Sequence, residues 1–258
     1  MNISIASYAF HGLLAAGMMD VFGYLESVKY RYCLDAADIW NGMLASTEED
    51  YLRKVRAAMD EKEMSLANLC VDGAHLWDPD QAERERLYQP AQANLRAAVI
   101  LGARTVRIDM GGRELEMSAE QFDYTVMRYR EYVRFGADHG FRVGTENHWG
   151  ASRRWANQER VIRAVDHPHY GVLLHIGNWA ETPDDYDRCV APYVMHTHVD
   201  ARVTRECLAE KIAMLLDAGY AGYWGVEHHT GQHEYAEVAW QLAEVRRALA
   251  LRLVNSIP

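Results

Sequence analysis

The chain has 258 residues, 49% hydrophobic and 25% charged, the composition of an ordinary soluble globular protein. Its formal net charge of −10 argues against a basic groove for a nucleic-acid backbone, and no apolar run approaches the ~20 residues that cross a bilayer. The four cysteines lack CxxC spacing, so neither a disulfide frame nor a zinc ribbon is expected, and a soluble cytoplasmic protein is the default reading.

Along the chain, strand-like segments alternate with helix-like ones. Residues 3–10 (ISIASYAF) alternate and are β-rich, and 36–40 (AADIW) form a short apolar run. A helical stretch follows from Thr47, with Asp50 three residues on in capping-box fashion. SLANLCV (65–71) is the next strand candidate, and 79–102 carries apolar residues at helical spacing up to a terminal glycine. TVRID (105–109) precedes a helix over 118–139, and RVGTE (142–146) precedes one over 157–165. GVLLH, YVMHTH and YWGVE are the last strand candidates, with helices expected over 205–219 and 234–253.

Eight strand candidates, each followed by helix or loop, predict a single (β/α)8 barrel domain over 1–258. An open dinucleotide-binding sheet would want GxGxxG after the first strand, and residues 8–13 lack it.

Such a barrel builds its site at the carboxyl ends of the strands. The last four strands end on Glu146, His175, His198 and Glu227, spaced by 29, 23 and 29 residues, about one βα unit each. Two imidazoles and two carboxylates are expected to meet there as a donor set for one divalent metal ion, Mn, Zn, Co or Fe. Each also has an ordinary reading as a core or loop residue. His196 shares a strand face with His198, and either is a candidate for the inward position.

The pieces LGARTVRID, FRVGTENHWG, LLHIGNW, HTHVDAR and GYWGVEHH, in this order, resemble the xylose isomerase-like barrel superfamily of sugar phosphate isomerases and epimerases. The resemblance implies a metal held by Glu, Asp, His and Glu on the fifth to eighth strands. Glu146, His198 and Glu227 match; His175 stands where the pattern has Asp. It further implies that Glu146 and Glu227 move a proton next to a carbonyl, with His148 or His228 sharing the work.

Candidate substrate contacts are Arg107, Asp109, His148, Arg202 and His75, with Trp40, Trp149 and Trp179 as aromatic walls for a sugar or cyclic polyol. Arg107 and Asp109 have a second reading as an ion pair capping the barrel. The functional expectation is a metal-dependent isomerase or epimerase of a keto sugar or related polyol. The alternatives are a lyase on a keto-inositol or oxidised glycoside, and a catalytically silent sugar-binding barrel. A DNA-repair endonuclease of the same superfamily is disfavoured by the acidic charge. Small molecules are the expected partners, with nucleic acid and membrane excluded and homo-oligomerisation left open.

Overall fold

A computed structural model describes residues 1–181 and 186–255 of the protein. Eight parallel strands form one sheet in the order β1-β8-β7-β6-β5-β4-β3-β2. They are β1 (Ile3–Ile5), β2 (Ala36–Trp40), β3 (Ser65–Val71), β4 (Ala103–Ile108), β5 (Arg142–Glu146), β6 (Tyr170–His175), β7 (Val194–Val199) and β8 (Trp224–Val226). A single parallel bridge between Ala6 and Asp38 brings the two ends of the sheet together. This is a (β/α)8 TIM barrel.

Helices α1 (His11–Ala15) and α2 (Val21–Glu26) follow β1, and α3 (Glu49–Glu61), α4 (Gln81–Leu101), α5 (Ala119–His139) and α6 (Trp155–Val165) follow the next four strands. Then come α7 (Tyr186–Val190), α8 (Ala201–Glu206), α9 (Leu208–Asp217) and α10 (Glu234–Asn255). The outward strand residues Ile39, Leu69, Val106, Ile108, Val143, Val172, Leu174 and Val199 join the helices in one apolar core. Strands covered on both faces read as continuous apolar runs, which is why β2, β3 and β5 begin and end where the sequence places them. Helix stops are equally legible: Gly102 and Gly140 adopt the left-handed conformation at the ends of α4 and α5.

Three elements differ from expectation. The first strand ends at Ile5, and Ser7–Phe10 coil into a 3-10 turn in which the Ser7 hydroxyl accepts the Trp40 amide at 2.8 Å. Helix α3 starts at Glu49 with no side-chain cap from Thr47; Ser46 Oγ instead accepts the Glu48 amide. The helix expected over 205–219 is two helices, broken at Cys207, and its first half is capped by Asp200 accepting from the Val203 amide at 2.7 Å.

Strand β5 meets β6 at Gly144 opposite Gly171. A Cβ on Gly144 would lie 1.6 Å from the Gly171 carbonyl oxygen, so the two strands need a bare backbone there. Since these strands carry Glu146 and His175, this close approach also sets the site. Gly144→Ala is expected to lower stability by about 1–3 kcal/mol, seen as a lower urea midpoint with an unchanged m-value.

Candidate functional site

The mouth of the barrel is polar where the flanks are apolar. Its lowest layer is a chain of buried hydrogen bonds. Thr105 Oγ1 donates to Asn68 Oδ1 (2.8 Å), and Asn68 Nδ2 donates to Asp38 Oδ1 (2.9 Å). The other Asp38 oxygen lies 2.6 Å from His196 Nε2 and 3.1 Å from His198 Nε2. Both histidines of HTH therefore point inward from β7, one layer apart. Burial pushes the Asp38 carboxyl up, but the two imidazoles outweigh it and hold Asp38 below the usual carboxylate range.

Above this layer, Glu146, His175, His198 and Glu227 converge, with one donor atom of each within 4.8 Å of all the others. His175 Nδ1 lies 3.2 Å from Glu146 Oε1 and 3.4 Å from Glu227 Oε2. His198 Nδ1 lies 3.3 Å from Glu227 Oε2 and 3.8 Å from Glu146 Oε1. His196 does not reach this group; its Nδ1 is buried without a partner among the described residues.

The donor set fits a divalent cation, and His198 carries the test. Its Nε2 is fixed on Asp38, and its buried Nδ1 makes no hydrogen bond of good geometry while facing both glutamates. A carboxylate behind an imidazole fixes the tautomer and aims the remaining lone pair, the arrangement found behind metal-binding histidines. His175 repeats it more loosely, with Nε2 lying 3.6 Å from Asp200 Oδ2.

The electrostatics agree with a place for positive charge. Burial pushes Glu146 up, but His148 and Arg107 more than offset it and hold the carboxyl well below its usual range. Burial likewise opposes ionisation of Glu227, and the His198 ring reverses the effect. His175 resists burial through Asp200, Glu146 and Glu227, and its pKa is pushed up to about 9.

Arg107 stands beside the cluster. Its Nε lies 3.0 Å from Glu146 Oε2, and its Nη1 donates to Asp72 (2.7 Å) and Asp109 (3.1 Å). The ion pair with Asp109 is present, and the side chain also lines the cavity. Asp109 Oδ2 further accepts from Trp149 Nε1 (3.0 Å) and lies 2.9 Å from His148 Nδ1. Burial disfavours a charged His148, but Glu146 and Asp109 outweigh it, and its pKa is pushed up to about 9.

A cavity of about 530 Å³ opens over the cluster, and Trp40, Arg107, His148, His175, His198 and Glu227 all line it. Other expected contacts lie elsewhere. Asp109 is buried behind Arg107 and His148, and His75 and Trp149 line a neighbouring cavity. Trp179 is buried, donating to Asp187 at 2.8 Å and packing on Trp155 and Tyr186. Arg202 runs out to solvent past the Gly177 carbonyl. His228 is tied into its own loop by Thr230 and Gln232, and it is His229 that faces the cavity, 2.9 Å from Glu227.

Residues that the sequence reading passed over complete the walls. Tyr8 lies edge-on to Trp40, and Asp200 stands behind His175. Asn147 exchanges two 2.8 Å hydrogen bonds with the His175 backbone, locking the ends of β5 and β6 together. Tyr8 lies inside the stretch 3–10 read as the first strand, and only the turn over Ser7–Phe10 brings it to the mouth. Asn147 and Asp200 lie inside the motifs quoted above but carry no signal of their own.

The fold and this converging set define a (β/α)8 barrel with a cluster of candidate donors at its mouth. The chain belongs to the xylose isomerase-like TIM barrel family, which it matches over residues 32–249. No curated protein matches it. Several solved structures share its fold. A D-psicose 3-epimerase from Clostridium cellulolyticum H10, crystallised with D-tagatose, is 16% identical, with 97% of this chain and 98% of that one covered and a TM-score of 0.75. A 3-keto-D-glucoside 4-epimerase from E. coli is 15% identical, with 96% and 99% covered and a TM-score of 0.74. A probable 3-DHS dehydratase from Bacillus anthracis is 14% identical, with 95% and 99% covered and a TM-score of 0.72. At these identities the likeness is one of fold.

Arg107 pairs with Glu146, Asp109 and Asp72 at once, and removing it takes a cation from two buried carboxylates, Glu146 and Asp109. Arg107→Met is expected to cost about 3–5 kcal/mol in chemical denaturation of the metal-free protein.

Proposed function

We propose that the protein is a divalent-metal-dependent isomerase or epimerase of a keto sugar or related polyol, acting by proton abstraction next to a carbonyl. The observation that carries this reading is the placement of two buried, ionised glutamates on either side of a pair of carboxylate-backed histidines. Glu146, His175, His198 and Glu227 would hold the ion. When bound, it supplies Lewis acidity that stabilises negative charge on a substrate oxygen.

The remaining work falls to the protein's own groups. Glu146 and Glu227 serve as the pair that takes the proton and returns it, from opposite sides of the reacting carbon. Ligating carboxylates are weak bases, so His148, oriented by Asp109 and facing the cavity, assists at the substrate oxygen. Arg107 keeps Glu146 ionised and lines the pocket. Trp40 and Tyr8 offer ring faces and edges to the C–H surface of a sugar. His175 in place of aspartate removes one negative charge from the set, which favours Mn, Zn, Co or Fe over Mg.

A lyase begins with the same proton transfer. One feature favours it as the second reading: His229 lies at the cavity beside Glu227, where an imidazole could protonate a departing hydroxyl. Product mass separates the two, since an isomerase conserves it and a lyase loses water or an aglycone.

Solvent deuterium is expected to enter keto sugars in the presence of the metal-loaded protein. Glu146→Gln and Glu227→Gln should each slow that exchange by about 10²–10⁴-fold. Elemental analysis of the same variants and of His175→Ala reports the ligand set. Full metal retention in His175→Ala would restrict it to the other three, and retention in both glutamate variants would overturn the reading.

Metal uptake also has a pH signature. His175 is held protonated below about pH 9 in the metal-free protein, and ligation needs the neutral ring. His198 is likewise held protonated, against its burial, by Glu227 and Asp38, so affinity should rise with pH through the neutral and mildly alkaline range. Uptake at neutral pH should release protons, measured as a buffer-dependent heat in titration calorimetry.

A further inference from the structure

A second cavity, of about 840 Å³, lies over the loops that follow β3 and β4, and the reaction proposed above does not use it. Trp77, Trp149 and His75 give it aromatic walls, and Glu83, Arg113 and Glu114 give it charged ones. Its floor is stitched in place: Trp77 bridges to Gly111, and its amide donates to the Met110 carbonyl at 2.9 Å. His75 stands edge-on to Trp149, with ring centroids 5.3 Å apart.

Neighbouring residues separate the two cavities. His148 lines the first and Trp149 the second, and both rings rest on the same Asp109 oxygen, at 2.9 and 3.0 Å. The first cavity, at about 530 Å³, already falls within the roughly 300–1,000 Å³ of a complete small-ligand site. A single sugar ring needs no second space of this size.

We propose that the second cavity is a subsite for a further sugar ring, so that the substrate is a glycoside with its reacting ring at the glutamates and its second ring against Trp149. The partly exposed Trp149 indole matches the C–H face of a pyranose, while Trp77, nearly buried under Arg84, forms the edge of the space. Glu83, Glu114 and Arg113 match its hydroxyls, which a purely apolar aglycone would leave without partners. This inference rests on the reading of the first cavity as the reacting-ring site.

Calorimetry on the metal-loaded protein with methyl β-D-glucopyranoside and with cellobiose tests it. Cellobiose is expected to bind about tenfold more tightly, the gain of one stacked and hydrogen-bonded ring. In an Arg113→Ala/Glu114→Ala double variant that ratio should fall below about threefold. Both residues are exposed on a loop, and a thermal melt checks that the fold persists. Glu83→Ala, from the α4 side, should narrow the ratio in the same way.

Cellobiose binding no tighter than the methyl glucoside, including no binding of either, would overturn the subsite. So would a gain that survives these substitutions. Deuterium exchange into a keto monosaccharide is scored separately: exchange without the gain sinks only the subsite, whereas the gain without exchange sinks only the reaction.

Discussion

Asp38 lies fully buried at the base of the barrel mouth, and one of its oxygens faces two imidazoles at 2.6 and 3.1 Å. A carboxylate in so dry a place is tolerated only when its lone pairs are satisfied. Asn68 occupies the other oxygen, and Thr105 fixes Asn68 in turn. The carboxylate thereby fixes the His198 ring: with Nε2 held on Asp38, Nδ1 is the nitrogen presented to Glu146 and Glu227. Four strands contribute to this one arrangement, so the barrel's closure and the orientation of the donors are a single constraint.

Charge balance follows from it. Glu146 and Glu227 are buried close together and both ionised, which without cationic neighbours would be unfavourable. Arg107 stands on one side of Glu146, while His175 and His198 lie between the glutamates. An aspartate at position 175 would add a third anion. The imidazole adds none, and Asp200 behind it restores part of the field from a greater distance. The swap thus moves the negative charge outward by the width of a ring. That preserves donor character at the centre while lowering the charge density that hard cations require.

Much of this was readable in the residues. A polar or charged side chain that closes an apolar run has no place in the helix-facing core, so Glu146, His175, His198 and Glu227 announced themselves at the ends of β5 to β8. The fold and the limits of β2, β3 and β5 followed from the same reading, while the first strand, expected through Phe10, stops at Ile5. What escaped depends on three-dimensional neighbours. The choice between His196 and His198 is set by depth in the barrel, which strand alternation leaves open because both face inward. Trp179 and Arg202 fall at strand ends in sequence, yet the loop carrying Trp179 folds it onto Asp187, and Arg202, on the first turn of α8, points to solvent. His229 displaces His228 because the loop ties His228 down through Thr230 and Gln232. Loop geometry of this kind comes from hydrogen bonds between distant segments, and periodicity does not carry it.

Asp109 shows how one such distant contact can organise more than one space. A single oxygen of this carboxylate receives Arg107, His148 and Trp149, at 3.1, 2.9 and 3.0 Å. Consecutive residues after a strand diverge to opposite sides, so His148 and Trp149 reach the same anchor while presenting their rings to different cavities. Arg107, on the same anchor, reaches back to Glu146. Any shift of Asp109 would move the wall of the donor site, the wall of its neighbour and the counter-charge of a candidate base together. Asp109 touches neither cavity directly, and its influence on both runs through the three side chains it holds.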